Sequence, residues 1–212
     1  MHLAIVGTGA VGTALGSRLV QKKHRVTFGS RDPHSEAAAQ LDATLGTKAD
    51  VRLTPEAVQE AEAVVLATPW PVTEQVVKAL DLAGKVVIDC TNDVGPDFQP
   101  DDPSVLSCAE KLARWLPESR VVKAFNTVGT GVLVDPAFGA EPCGVRPAMP
   151  FCGDDAEAKA LVQGLIEDVG FEAVDAGALV AARQLEALAL LWMRLAYGQQ
   201  HGPNVAFALL AR

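Results

Sequence analysis

Residues 2–12 read His2-Leu3-Ala4-Ile5-Val6-Gly7-Thr8-Gly9-Ala10-Val11-Gly12, and the character of the chain changes twice within them. An apolar run of strand length gives way to glycines. A helical pattern then covers 10–20, with Val11, Ala14, Leu15, Leu19 and Val20 on one side. Glycine spacing of the form Gly-x-Gly-x-x-Gly is weak by itself, but between a strand and a helix it reads as a dinucleotide-binding turn. Gly7 permits the tight turn, Gly9 lets the backbone approach a pyrophosphate, and Gly12 lets the helix pack on the strand. Open N–H groups and the partial positive charge at the helix start attract the pyrophosphate. Thr8, Ala10 and Val11 complete this candidate phosphate segment.

Outward from it, a second strand at 25–28 ends in Phe28-Gly29-Ser30-Arg31. NAD enzymes place an acid here for the ribose hydroxyls. Ser30 and Arg31 suit a 2′-phosphate instead, Ser30 by donating a hydrogen bond and Arg31 by a charged contact and stacking on adenine. Asp32 lies near the NAD-type position, yet it follows the arginine, where with Pro33 it is equally suited to cap the helix at 35–45. The expected ligand is therefore NADP(H).

The alternation continues. An edge strand at Val51 and Leu53 precedes a helix start at Thr54-Pro55-Glu56, with Thr54 as N-cap. Strands are expected at 63–67, 85–89 and 120–124, with helices at 72–80 and 104–115. Two Gly- and Pro-rich loops, 92–103 and 127–150, are of functional length. A strand at 149–153, a helix at 154–168 capped by Asp154 or Asp155, and a strand at 171–174 follow. A long helix at 178–197 and a short one at 204–210 complete the reading. Apolar strands alternating with amphipathic helices predict an α/β fold, a doubly wound parallel sheet of Rossmann type with a small helical C-terminal extension. The expected division is an NADP-binding domain at 1–150 and an extension at 151–212 for the acceptor site and a dimer contact. Ligands bind beyond the carboxyl ends of such strands. Thr68-Pro69-Trp70 should thus wall the cleft, and Asn126 and Thr127 should orient the nicotinamide carboxamide.

Composition narrows the function. A chain of 212 residues with 49% hydrophobic content has the material for a packed core. A formal charge of −8 offers no attraction to nucleic acid or an anionic membrane. Cys90, Cys108, Cys143 and Cys152 form no CxxC pair and read as buried thiols, and no metal-ligand constellation is visible. Neither a secretory signal nor a spanning apolar run is evident, which points to the cytoplasm. General acids and bases are scarce. His24 and His34 sit among charged, solvated residues, and Tyr197 has no lysine four places on. His201 is the one histidine worth weighing. No catalytic residue is assigned: the pattern favours a protein that positions two cofactors for direct hydride transfer.

These motifs together, with Lys123-Ala124-Phe125-Asn126-Thr127, Cys152-Gly153-Asp154-Asp155 and Val174-Asp175-Ala176-Gly177, resemble the family of NADPH-dependent deazaflavin (coenzyme F420) reductases. The chain is also similar to the cytosolic reductase domain of the six-transmembrane metalloreductases. The resemblance runs in order over nearly the whole chain. It implies NADP(H) binding, hydride exchange with a small-molecule acceptor such as F420, FMN or FAD, and a homodimer. Two other readings stand beside it: a non-catalytic NADP(H)-binding sensor or interaction module, and a reductase of a small carbonyl or imine.

Overall fold

The computed structural model describes residues 1–46, 49–100, 106–137 and 144–211. Through residue 123 it alternates β1 (His2–Val6), α1 (Ala10–Gln21), β2 (Arg25–Ser30), α2 (Glu36–Leu45), β3 (Ala49–Leu53), α3 (Thr54–Gln59), β4 (Ala63–Leu66), α4 (Trp70–Lys78), β5 (Val86–Asp89), α5 (Cys108–Trp115) and β6 (Arg120–Lys123). After β6 come α6 (Thr130–Val134), β7 (Ala148–Gly153), α7 (Ala156–Val169), β8 (Glu172–Asp175) and α8 (Ala182–Met193). β4 and β5 are buried at every residue, so both faces of the sheet must be covered. The two-residue period of a strand divides that burial between two layers. Leu3 and Ile5 of β1 pack with Leu15, Leu19, Val162 and Ile166 of α1 and α7. Ala4 and Val6 pack with Val58, Val77 and Leu112 of α3, α4 and α5.

One eight-stranded sheet results, in the order β3-β2-β1-β4-β5-β6-β7-β8. The order reverses at β1, whose neighbours are β2 and β4, and a crevice opens there at the carboxyl edge. This is the expected Rossmann-like α/β fold with a C-terminal helix. The reading of a wholly parallel sheet needs one correction: β7 is antiparallel to β6, with Lys123 opposite Cys152. Among the described residues, their connection holds only the five-residue α6, too little helix to carry the chain back to the amino edge. The chain therefore turns back into the sheet from the carboxyl edge. The boundary expected after residue 150 falls inside β7, which is paired on both sides.

Other differences have local causes. Thr54 lies inside α3 and caps nothing, because β3 runs straight into the helix and Leu53 occupies the cap position. The helix expected from 104 begins at Cys108, where Ser107 and Glu110 form a reciprocal capping box; residues 101–105 lie outside the described part. Asp155 caps α7 through the Ala158 N–H, at 2.7 Å, while Asp154 accepts from the Leu179 N–H at 2.8 Å. The helix expected over 178–197 runs from Leu179 to Gly198, as a 3₁₀ turn, α8 and a closing π turn, with Ala178 extended before it. No helix forms over 204–210. There the Phe207 carbonyl accepts from the Ala148 N–H and the Val205 carbonyl from Trp192 Nε1, so the tail is held across the fold and not along itself.

Candidate active site

The first part of the site is the start of α1. Gly7 has φ of 120°, and a Cβ there would meet the Ala67 carbonyl oxygen at 2.5 Å. A Cβ at Gly12 would lie 2.1 Å from the Gly7 oxygen, so the helix can sit this close to β1 only with glycine. Gly9 differs: a Cβ there meets no protein atom within 4 Å. The open space in front of Gly9 is on the outside of the turn, where Gly9 and Ala10 are exposed. Gly9 is the N-cap and no side chain caps the helix, nor does its first turn carry an acid. The first-turn N–H groups of Ala10, Val11 and Gly12 thus have no helical partner and face a space kept clear of side chains. That arrangement fits a pyrophosphate. Thr8 is half-buried, and its carbonyl accepts from Thr13 Oγ1 at 3.3 Å.

At the end of β2, Ser30 is buried and its hydroxyl donates to the Asp32 carbonyl at 2.9 Å while accepting from the Asp32 N–H at 3.1 Å. Arg31 is exposed, with no ion pair among the described residues. Asp32 spends its carboxylate on the His34 N–H at 2.9 Å, and Ser35 takes the cap of α2 through the Ala38 N–H. The acid is thereby tied into a turn while the arginine stays available. Thr68 bonds to Thr73 at 2.8 Å and Pro69 is exposed. Trp70 begins α4 and stacks on Trp115 of α5, with ring centroids 5.3 Å apart. Its indole is therefore turned to the neighbouring helix.

The carboxyl ends of β5 and β6 hold a network the sequence reading missed. Lys123 and Asp89 have side chains with no exposure at all. Lys123 Nζ donates to Asp89 Oδ2 at 2.9 Å and to the Thr91 carbonyl, and pairs with Glu186 Oε1 at 3.0 Å. Burial alone would lower the ammonium pKa; Asp89 and Glu186 outweigh it and hold Lys123 above the usual lysine range. Glu186 reaches from α8 to the start of α5, accepting from the Cys108 and Ala109 N–H groups at 2.9 and 3.3 Å. Arg183 adds a two-pronged contact with Glu110, at 2.5 and 2.8 Å.

Strain follows directly along the chain. Phe125 is buried with φ of 59°, a conformation that costs a non-glycine residue on the order of 1–3 kcal/mol. Asn126 Nδ2 donates to Asn92 Oδ1 at 3.0 Å and to the Leu185 carbonyl at 3.2 Å, and Asn92 Nδ2 returns a bond to the Asn126 carbonyl. Both amide hydrogens are used, while Asn126 Oδ1 is buried without a partner. Thr127 turns its hydroxyl to Met149 Sδ in the core, at 3.8 Å.

His24 is not solvated as expected. Its side chain is 10% exposed and pairs with Asp168 of α7 at 3.1 Å. His201 is exposed and lines an apolar cavity of about 200 Å³ with Trp192 and Phe207. Cys90, Cys108 and Cys152 are buried, and burial pushes their thiols up, Cys152 to about 12; Cys143 lies outside the described residues. No helix among the described residues is long and apolar enough to cross a membrane.

Comparison with known proteins agrees with this geometry. The family model described as "NADP oxidoreductase coenzyme F420-dependent" matches residues 2–93. The F420-dependent NADP reductase of Methanocaldococcus jannaschii is 33% identical, over 92% of this chain and 92% of that protein. The chain belongs to the F420-dependent NADP reductase family. It is an oxidoreductase of an NADP-binding family on that relationship. A solved structure of a putative F420-dependent NADP reductase from Arthrobacter sp. FB24 superposes with a TM-score of 0.87 at 28% identity, covering 99% of both chains. Metalloreductase STEAP3 of Rattus norvegicus is 32% identical over 89% of this chain, which spans 36% of that protein's length.

Proposed function

We propose that this protein exchanges hydride between NADP(H) and a small-molecule acceptor, a deazaflavin of the F420 type or a flavin. The observation that carries the reading is the uncapped, acid-free start of α1 behind Gly9, with Arg31 available beside it. The acceptor half of the proposal rests on the family relationship, which continues beyond residue 93 across the rest of the chain.

In this reading residues 7–12 hold the pyrophosphate through backbone N–H groups. Ser30 and Arg31 hold the 2′-phosphate, for which Ser30 must exchange one of its loop hydrogen bonds. Thr68 and Pro69 wall the cleft, while the Trp70 indole is engaged with Trp115. For Asn126 to accept from the nicotinamide carboxamide its buried Oδ1 must first be uncovered, while Thr127 keeps its hydroxyl on Met149. NADPH supplies a hydride when bound, and the acceptor completes its reduction with a proton from water. The protein's task is to hold two rings together, because the Lys123, Asp89 and Glu186 network is closed on itself and buried. A homodimer belongs to the same proposal, supported by exposed Leu191, Tyr197 and Leu210 on the C-terminal part; light scattering at monomer mass would remove it.

The test is NADPH oxidation followed spectrophotometrically, with a deazaflavin, FMN, FAD and ferric chelates offered in parallel. Saturable turnover with a deazaflavin or flavin is expected. Micromolar NADPH binding with no turnover on any of them would refute the acceptor assignment and favour a sensor.

A further inference from the structure

Beneath the carboxyl ends of β5 and β6 lie one buried cation and two carboxylates. Side-chain exposure is 0% for Lys123 and Asp89 and 14% for Glu186. Asp89 accepts from the Thr91 N–H, the Thr91 hydroxyl and Lys123. Glu186 accepts from Lys123 and two N–H groups of α5. Lys123 is thus one cation set against two acidic side chains. The start of α5 offsets about half a charge.

A dinucleotide whose pyrophosphate lies at α1 and whose 2′-phosphate lies at Arg31 must extend its other end across the crevice, over β4, β5 and β6. Asn126 marks that end. Its orphaned Oδ1 is three residues beyond Lys123, and its amide is held by the carbonyl of Leu185, the residue before Glu186. We propose that the uncompensated negative charge of the Asp89, Lys123 and Glu186 cluster favours the cationic oxidised nicotinamide over the neutral reduced one. The cluster thereby tightens NADP⁺ relative to NADPH and makes bound NADPH the stronger hydride donor. The inference rests on the NADP(H) reading above, and Glu186 acts in it as a positioning charge without touching the ring.

The experiment measures the dissociation constants of NADP⁺ and NADPH by calorimetry for the full chain, Glu186→Gln and Asp89→Asn. One charge acting over about 10–15 Å at an effective dielectric near 20 changes an affinity about six- to fifteenfold, and water in the open cleft reduces this. Each substitution should raise the ratio of the NADP⁺ constant to the NADPH constant at least about threefold. A role in holding α8 to α5 alone would weaken both nucleotides in parallel, and an unchanged ratio overturns the proposal. Should neither variant fold, the unaltered protein decides: comparable or tighter NADP⁺ binding supports the proposal, and NADPH bound more than about tenfold tighter overturns it. If neither nucleotide binds, the NADP(H) reading falls and takes this inference with it.

Discussion

Gly9 and Gly12 sit three residues apart in one turn, and the structure assigns them opposite reasons for being glycine. Gly9 has φ of −76° and ψ of −177°, open to any residue, and a Cβ there touches no protein atom within 4 Å. Gly9→Ala should gain about 0.4–1 kcal/mol from a less flexible unfolded chain. Alanine is a poorer N-cap than glycine by a similar amount. The two offset, and Tm should move by no more than about 3 °C in a protein of this size. Yet the methyl group would stand in the space before the free N–H groups of α1. Loss of one charge-assisted contact, worth about 1.5–3 kcal/mol, predicts NADPH binding about ten- to a hundredfold weaker. Gly12→Ala reverses the pattern. Its Cβ would lie 2.1 Å from a backbone oxygen that cannot rotate away, so α1 must lift from β1. Overpacking of that kind costs about 1–3 kcal/mol or more and lowers Tm by about 3–10 °C. Thermal melts and fluorescence titration with NADPH on both variants read the two effects separately. Wild-type NADPH affinity in Gly9→Ala would refute the assignment of that space to the pyrophosphate. Equal loss of stability in both variants would refute the distinction between them.

Three further outcomes are expected. Arg31→Ala should weaken NADPH about ten- to a hundredfold while leaving NADH nearly unchanged; parallel losses in titration would remove the 2′-phosphate role. Lys123→Met should lower Tm by about 10 °C or more, since it leaves two buried carboxylates without their cation, a loss of about 3–5 kcal/mol. A melt like that of the unaltered protein would show that the cluster does not hold β5, β6 and α8 together. Arg183, by hydrogen bonding, is the main cause that holds Glu110 down to about 2, against an ordinary value of 4.5. A carboxyl depressed in the folded state stabilises the fold fully above its unfolded value and loses that contribution as pH falls through its folded value. Stability should therefore decline between about pH 5 and pH 2, and Arg183→Ala should flatten the decline in melts across that window.

The geometry at the start of α1 and the end of β2 was legible because it is local. The turn at Gly7 to Gly12 and the end of β2 at Ser30 and Arg31 each lie within a few residues of chain. Their chemistry follows from φ, from missing Cβ atoms and from charge, which a sequence displays directly. The same locality explains the good reading of β1, β2, β4, β5 and β6, where apolar runs and their spacing determine burial. Where tertiary partners decide, the reading failed. The apolar tail at 204–210 has the composition of a helix, but Trp192 and Ala148 claim its carbonyls. His24 looked solvated among charged neighbours until α7 brought Asp168 to it. The reversed direction of β7 depended on the length of α6, which no periodicity in a Gly- and Pro-rich loop displays.

The buried cluster is harder because its parts come from three distant segments. Lys123 meets Asp89 across 34 residues, and Glu186 arrives from α8 only after β7 and β8 have been laid down. One signal was nonetheless present. A lysine at the end of the apolar run Val121-Val122-Lys123-Ala124, in a strand predicted to be covered on both faces, cannot remain unpaired, since an isolated buried ammonium costs far more than the fold can supply. Asp89 ends the neighbouring strand Val86-Val87-Ile88-Asp89 under the same constraint. Two opposite charges closing adjacent buried strands must find each other at the carboxyl edge, where ligands bind in open α/β sheets. The sequence thus contained the pair and its location. It withheld the second carboxylate, and with it the sign of the net charge, because Glu186 sits on an ordinary amphipathic helix where an acid needs no partner at all.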